Sequence, residues 1–226
     1  MQEFTVPRQL ALGLPHSESF AREDFLEGPG NATALALVEA WPKWPAPAVI
    51  IFGETGVGKS HLAAIWAAKA GARFLSSRAL RSADLPAALT TGALVLEDLA
   101  ENRLDEIPLF HLLNLVREHE AFLLMTAATA PAGWALRTPD LASRLRATPA
   151  IEVLRPDESL LRAVLVKLFA DRQLRVDEAL IAYLLARTER SLSAVRALVD
   201  ILDREALRRQ RPITRMLAAE VLGWSA

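Results

Sequence analysis

The chain has 226 residues, of which 52% are hydrophobic and 23% charged, with 26 lysines and arginines against 27 aspartates and glutamates. These are globular proportions: they exclude a disordered tail or a fibrous repeat, and near-neutrality excludes coating of nucleic acid or an anionic membrane by bulk charge. There are no cysteines, which removes disulfides, thiolate metal sites and thiol chemistry and suits a reducing compartment. No uncharged apolar run approaches the roughly 18 residues of a membrane span. The opening MQEFTVPRQLALGLPH lacks the basic start and longer apolar run of a secretory leader. The chain is expected to be soluble and cytoplasmic.

Residues 1–24 have no clear period and contain Pro7, Gly13 and Pro15; they read as an extended arm. Gly28-Pro29-Gly30-Asn31 is turn chemistry, with Asn31 placed to cap a helix over Ala32–Trp41 that Trp41–Pro47 ends. Ala48–Phe52 is a short apolar run suited to a buried parallel strand, and a helix is expected over Lys59–Ala70. Further strands are expected at Arg73–Ser76, Ala93–Leu96, Ala121–Thr126 and Ile151–Leu154, with a helix over Ile107–His119. After Pro156 the pattern changes to helices alone, over 157–171, 177–187, 191–209 and 214–222. Alternating buried strands and helices predict a parallel α/β sheet, here over 25–155, followed by an all-helical domain over 156–226.

Between the first strand and its helix lies Gly53-Glu54-Thr55-Gly56-Val57-Gly58-Lys59-Ser60, the G-x-x-x-x-G-K-[ST] phosphate-binding loop in its required strand–turn–helix context. Glycines let the backbone curl so that successive N–H groups face phosphate oxygens, and the helix start adds partial positive charge. Lys59 is expected to neutralise terminal phosphates and the Ser60 hydroxyl to bind Mg²⁺. The strand Leu94-Val95-Leu96 runs into Glu97-Asp98. In P-loop ATPases the first acid of such a pair holds Mg²⁺ and the second polarises the attacking water, so Glu97 is the expected metal ligand and Asp98 the catalytic carboxylate. The usual order is Asp first; Glu reaches one methylene further. The four histidines show no metal-ligand spacing, and the five tryptophans suit core or interface.

These residues resemble the DnaA-related branch of the AAA+ ATPases, in particular the Hda-like regulators of bacterial replication initiation. The resemblance extends over nearly the whole chain. Phe25-Leu26-Glu27-Gly28-Pro29-Gly30-Asn31 resembles the family's nucleotide-base segment, which makes Leu26 and Asn31 candidate base contacts. Gly58-Lys59-Ser60-His61-Leu62 resembles its P-loop with the trailing His-Leu, and Phe110-His111-Leu112-Leu113-Asn114 the helix after its second acidic motif. Asp140-Leu141-Ala142-Ser143-Arg144-Leu145 resembles the arginine-finger segment, making Arg144 the candidate finger, with Arg137 and Arg146 nearby. A guanidinium is planar and permanently charged, which suits a transferring γ-phosphoryl group on a neighbouring subunit. The terminal helices resemble the family's lid.

The sequence departs from the family at three places. Ala128 falls where a polar sensor is expected, with Thr126 or Thr129 as substitutes. Ser193 falls where the lid places its phosphate-touching arginine, with Arg196 one turn later. The third is the Glu97-Asp98 order. Together they favour binding of ADP or ATP over rapid hydrolysis. In the arm, Gln9-Leu10-Ala11-Leu12-Gly13-Leu14 resembles the segment by which Hda-like proteins bind the polymerase sliding clamp, with Gln9, Leu10, Leu12 and Leu14 suited to a shallow apolar groove. The chain stops where DnaA would continue into a DNA-binding domain, so strong direct DNA binding is not expected, although Arg204, Arg208, Arg209 and Arg211 cluster near a helix end. The resemblance implies a regulator that, on the clamp, promotes hydrolysis of DnaA-bound ATP, with self-association through AAA+ interfaces possible. The alternative is an independent ATPase motor acting as a helicase or clamp loader.

Overall fold

The computed structural model describes residues 20–81 and 83–224. In chain order it contains α1 (Ala32–Ala40), β1 (Ala48–Phe52), α2 (Lys59–Ala70), β2 (Arg73–Ser76), the single turn α3 (Leu85–Ala88), β3 (Ala93–Leu99), α4 (Glu106–Glu118), β4 (Phe122–Ala127), α5 (Pro139–Ala147) and β5 (Ala150–Glu152). The helices α6 (Glu158–Asp171), α7 (Glu178–Leu185), α8 (Leu192–Arg209) and α9 (Arg215–Leu222) follow. The strands form one parallel sheet in the order β2-β3-β4-β1-β5. Its register pairs Ala48 with Leu123 and Ile50 with Ala150.

Alternation along the strands feeds two cores, because successive side chains leave opposite faces. Ile50, Leu94, Leu96, Leu123 and Met125 pack against α3, α4 and α5. Val49, Ile51, Val95 and Leu124 pack against α1 and α2. A third core lies within α6–α9, built on Leu165, Phe169, Leu184, Val195, Val199 and Leu217. Asp157, Asp177, Ser191 and Thr214 cap these four helices, each side chain accepting from the backbone N–H three residues on. Such caps are worth about 1 kcal/mol each. No helix among the described residues is long and apolar enough to cross a membrane.

Several expectations need correction. Asn31 does not cap α1 with its side chain; its Oδ1 accepts from Gly28 N and its Nδ2 donates to Leu26 O, holding the preceding turn instead. β3 does not end at Leu96 but continues through both acids to Leu99, with one extra residue against β4 between Leu96 and Leu99. α5 was not anticipated as a helix. It buries only Leu141 and Leu145, too thin an apolar stripe to read without knowing that α4 lies beneath it.

Candidate nucleotide-binding site

β1 delivers the Gly-rich turn to the carboxyl edge of the sheet. Gly53 leaves the strand at φ +151°, where a Cβ would lie 2.3 Å from the Val153 carbonyl oxygen. Only glycine lets the turn pass so close to the end of β5. Val57 is buried beneath the loop in the α1–α2 core. Neither Gly53 nor Val57 lines the cavity described next: both shape the loop from behind. α2 begins at Lys59 with no side-chain cap, which leaves its first backbone N–H groups available to an anion. Lys59 Nζ donates to the carbonyls of Gly53 and Glu54 at 2.7 and 2.8 Å. Burial holds the Lys59 ammonium below its ordinary pKa, with Asp98 acting against that shift.

A cavity of about 530 Å³ opens over this turn. One wall is the loop itself, with Thr55, Gly56, Gly58, Lys59, Ser60 and His61. The N-terminal stretch supplies Phe20, Asp24, Phe25 and Leu26, and β3 supplies Asp98. α6 and α8 close the far side, α6 through Val164, Lys167, Leu168 and Asp171, and α8 through Ser193, Arg196, Ala197 and Asp200. In both helices these residues recur at three- and four-residue spacing, one face of each.

Of the acidic pair, Asp98 lines the cavity and Glu97 does not. The extra residue in β3 is the cause: strand alternation is broken there, and Asp98 takes a left-handed backbone, φ +60°. Its N–H donates to Thr126 Oγ1 at 3.0 Å, and its carbonyl accepts from Ser77 Oγ at 2.8 Å. Glu97, the expected metal ligand, is thus not at the cavity; Asp98 is the acid that the bulge brings there. Thr126, one of the substitutes weighed for the missing sensor, is buried and supports Asp98. Thr129 Oγ1 is taken by Trp134 Nε1, and Ala128 is exposed.

His61 joins three parts of the molecule. Its Nε2 contacts the Ala21 carbonyl oxygen at 2.9 Å and its Nδ1 contacts Arg196 Nη2 at 3.2 Å. A carbonyl only accepts, so Nε2 carries the proton and Nδ1 receives the guanidinium. The rings of Phe20 and Phe25 meet the imidazole edge-on. Burial lowers the His61 pKa, and Arg196 adds to that effect. Phe20 and Asp24, placed in the arm by sequence, are thus part of the cavity wall. Asn31 is not: it positions Leu26, which is. Of the two lid arginines that line the cavity, Arg172 and Arg196, Arg196 is the one that contacts His61.

The remaining lid cations are matched by carboxylates. Lys167 pairs with Asp24 at 2.7 Å and Asp171 at 3.0 Å, and Arg172 with Asp200 and, at 3.7 Å, Asp203. Lys59 and Arg196 are in no ion pair among the described residues. Sequence reading missed Phe20, Asp24, Lys167, Asp171, Arg172 and Asp200. The spacing along α6 and α8 was a usable signal only once the helices were known to face the loop.

Arg144 does not line the cavity. It lies on α5, with Nη1 donating to Asn114 Oδ1 at 2.6 Å and its guanidinium 4.5 Å from the Phe110 ring centre. Gln9, Leu10, Leu12 and Leu14 lie outside the described residues.

A parallel sheet flanked by helices, a phosphate-binding turn after a strand and a four-helix lid define the P-loop fold of the AAA+ proteins. Among solved structures, domain III of the Thermotoga maritima replication initiation protein DnaA matches with TM-score 0.75 at 17% identity, over 90% of this chain and 95% of that one. AMPPCP-bound DnaA from Aquifex aeolicus matches with TM-score 0.67 at 20% identity, over 84% and 66%. The Thermotoga maritima RuvB Holliday junction branch migration motor matches with TM-score 0.71 at 16% identity, over 91% and 72%. At these identities the likeness is one of fold. No family model and no curated protein matches the sequence.

Proposed function

We propose that the chain binds ADP or ATP with Mg²⁺ in this cavity and acts as an Hda-like regulator of replication initiation rather than as a fast ATPase. The observation that best supports nucleotide binding is the convergence of Lys59, Asp98 and Arg196, from three separate elements, on one cavity beside an uncapped helix start. Lys59 and Arg196 would meet the phosphates, having no carboxylate of their own to satisfy. Leu26, Phe20 and Phe25 supply apolar surface for the base. The Ser60 hydroxyl and the Asp98 carboxylate are hard oxygen donors suited to Mg²⁺, which takes its other ligands from phosphates and water. Bound there, Mg²⁺ would neutralise phosphate charge. Ala128 offers no polar side chain, in keeping with slow turnover. Calorimetry is the direct test: Lys59→Ala should weaken ADP binding strongly, and equal affinity in variant and wild type would remove the site. Phosphate release by the isolated chain should stay below about 1 s⁻¹.

The regulatory part of the reading rests on the sequence resemblance and on Arg144. Gln9 to Leu14 would engage the sliding clamp. Arg144, held away from this chain's own cavity, would reach the nucleotide of an adjacent ATP-bound DnaA. In a mixture with DNA-loaded clamp and ATP-bound DnaA, Arg144→Ala should lower ADP formation by about 10³, by analogy with other fingers. Rapid turnover without partners would instead favour the loader or motor reading.

A further inference from the structure

Arg144 is held by neutral groups alone. Asn114 Oδ1 accepts from Nη1 at 2.6 Å and the Phe110 ring lies 4.5 Å from the guanidinium carbon. The two are one turn apart on α4, so they present a single face to α5. α5 is fixed on that face from both ends. Glu106 accepts from the backbone N–H groups of Arg137 and Thr138 ahead of it, and Leu141 and Leu145 are buried below it. Among the described residues no carboxylate comes within ion-pair distance of Arg144. Of the other half-buried arginines, Arg172 is compensated by Asp200 and Asp203 and Arg209 by Glu205 and Glu220, whereas Arg196, in the cavity, shares with Arg144 the lack of a carboxylate partner among the described residues.

We propose that Asn114 and Phe110 are positioning residues that aim Arg144 while leaving its charge unspent, so that its counter-ion is a phosphate on a neighbouring subunit. The inference rests on the finger reading of Arg144 and says how that finger is held. An aspartate at 114 would have the same shape and accept the same hydrogen bond, more strongly. It would also supply the counter-ion from within. The amide gives direction without neutralisation, and the ring adds attraction to a cation without adding charge.

The test compares Asn114→Ala, Asn114→Asp and Phe110→Leu with Arg144→Ala, all in the full chain with DNA-loaded clamp and ATP-bound DnaA. Nucleotide and clamp binding serve as controls. Asn114→Ala and Phe110→Leu each loosen the tether and should lower stimulated ADP formation roughly three- to tenfold. Asn114→Asp should lower it at least about tenfold below Asn114→Ala, since the new ion pair must be broken before Arg144 can serve a phosphate. It should melt no lower than wild type. A purely structural role predicts the reverse order, with the isosteric aspartate milder than alanine. Asn114→Asp stimulating as well as Asn114→Ala, or no effect of Asn114→Ala and Phe110→Leu, overturns the inference while Arg144→Ala remains inactive. Full stimulation by Arg144→Ala overturns the finger reading and this inference with it.

Discussion

Asp98 carries backbone strain that few residues tolerate. Aspartate visits the left-handed region more readily than most residues, and two hydrogen bonds, to Thr126 Oγ1 and from Ser77 Oγ, hold it there. Thr126→Val keeps the shape and removes the acceptor for the Asp98 N–H. It should destabilise the fold by about 0.5–1.5 kcal/mol, the usual net worth of a hydrogen bond that is only partly buried, as read by denaturant unfolding. His61 gives a second residue-scale prediction. Its folded pKa lies below the ordinary value, chiefly because it is buried, so the fold binds a proton there less readily than the unfolded chain. The resulting stability is present above the ordinary histidine range and is lost as pH falls through the lowered folded value. Melting temperature should therefore drop more for wild type than for His61→Gln between pH 8 and pH 5; parallel pH profiles would exclude the effect. That Lys59 and Ser60 line the cavity was legible from the fixed spacing of their motif, and Arg196 only through the family resemblance that pointed to the start of α8. That Asp98 rather than Glu97 lines the cavity was not legible, since a bulge leaves no mark on the pattern of apolar residues.

At the scale of elements, α8 and the Gly-rich turn after β1 are interlocked. Leu192 N donates to Gly56 O at 2.9 Å, and a Cβ on Gly56 would lie 2.2 Å from Ser193 Oγ at φ +83°. Gly56→Ala thus combines an unfavourable backbone with a collision against the start of α8. It should cost about 1–3 kcal/mol of stability and lift the lid, seen as faster amide exchange at residues 192–196; unchanged exchange there would show that α8 is not seated on the turn. The strands β1 and β2 and the helix α2 begin and end where the apolar runs and turn residues predicted. The caps of α6 to α9 were equally readable, because a capping side chain and its helix are neighbours in sequence. α3 and α5 were hidden, since a helix with only one or two buried positions depends on its tertiary partner for stability rather than on its own pattern.

Across the whole molecule, the Lys167–Asp24 ion pair, whose two residues both line the cavity, ties the N-terminal stretch to the lid at 2.7 Å. If a ligand seated at the turn has to pass this tie, it leaves only when the lid swings away or that stretch peels off. Its dwell time is then set by a movement of the protein as much as by its own contacts. A gate of this kind slows arrival and departure together, so loosening it changes rates more than equilibrium affinity. Lys167→Ala should speed release of a fluorescent ADP analogue severalfold in stopped flow, in keeping with a partly exposed pair worth up to about 1 kcal/mol, with a smaller change in Kd. Unaltered release would mean that the pair is no gate. If the gate holds, the chain keeps a memory of its last nucleotide for as long as Lys167 and Asp24 stay paired.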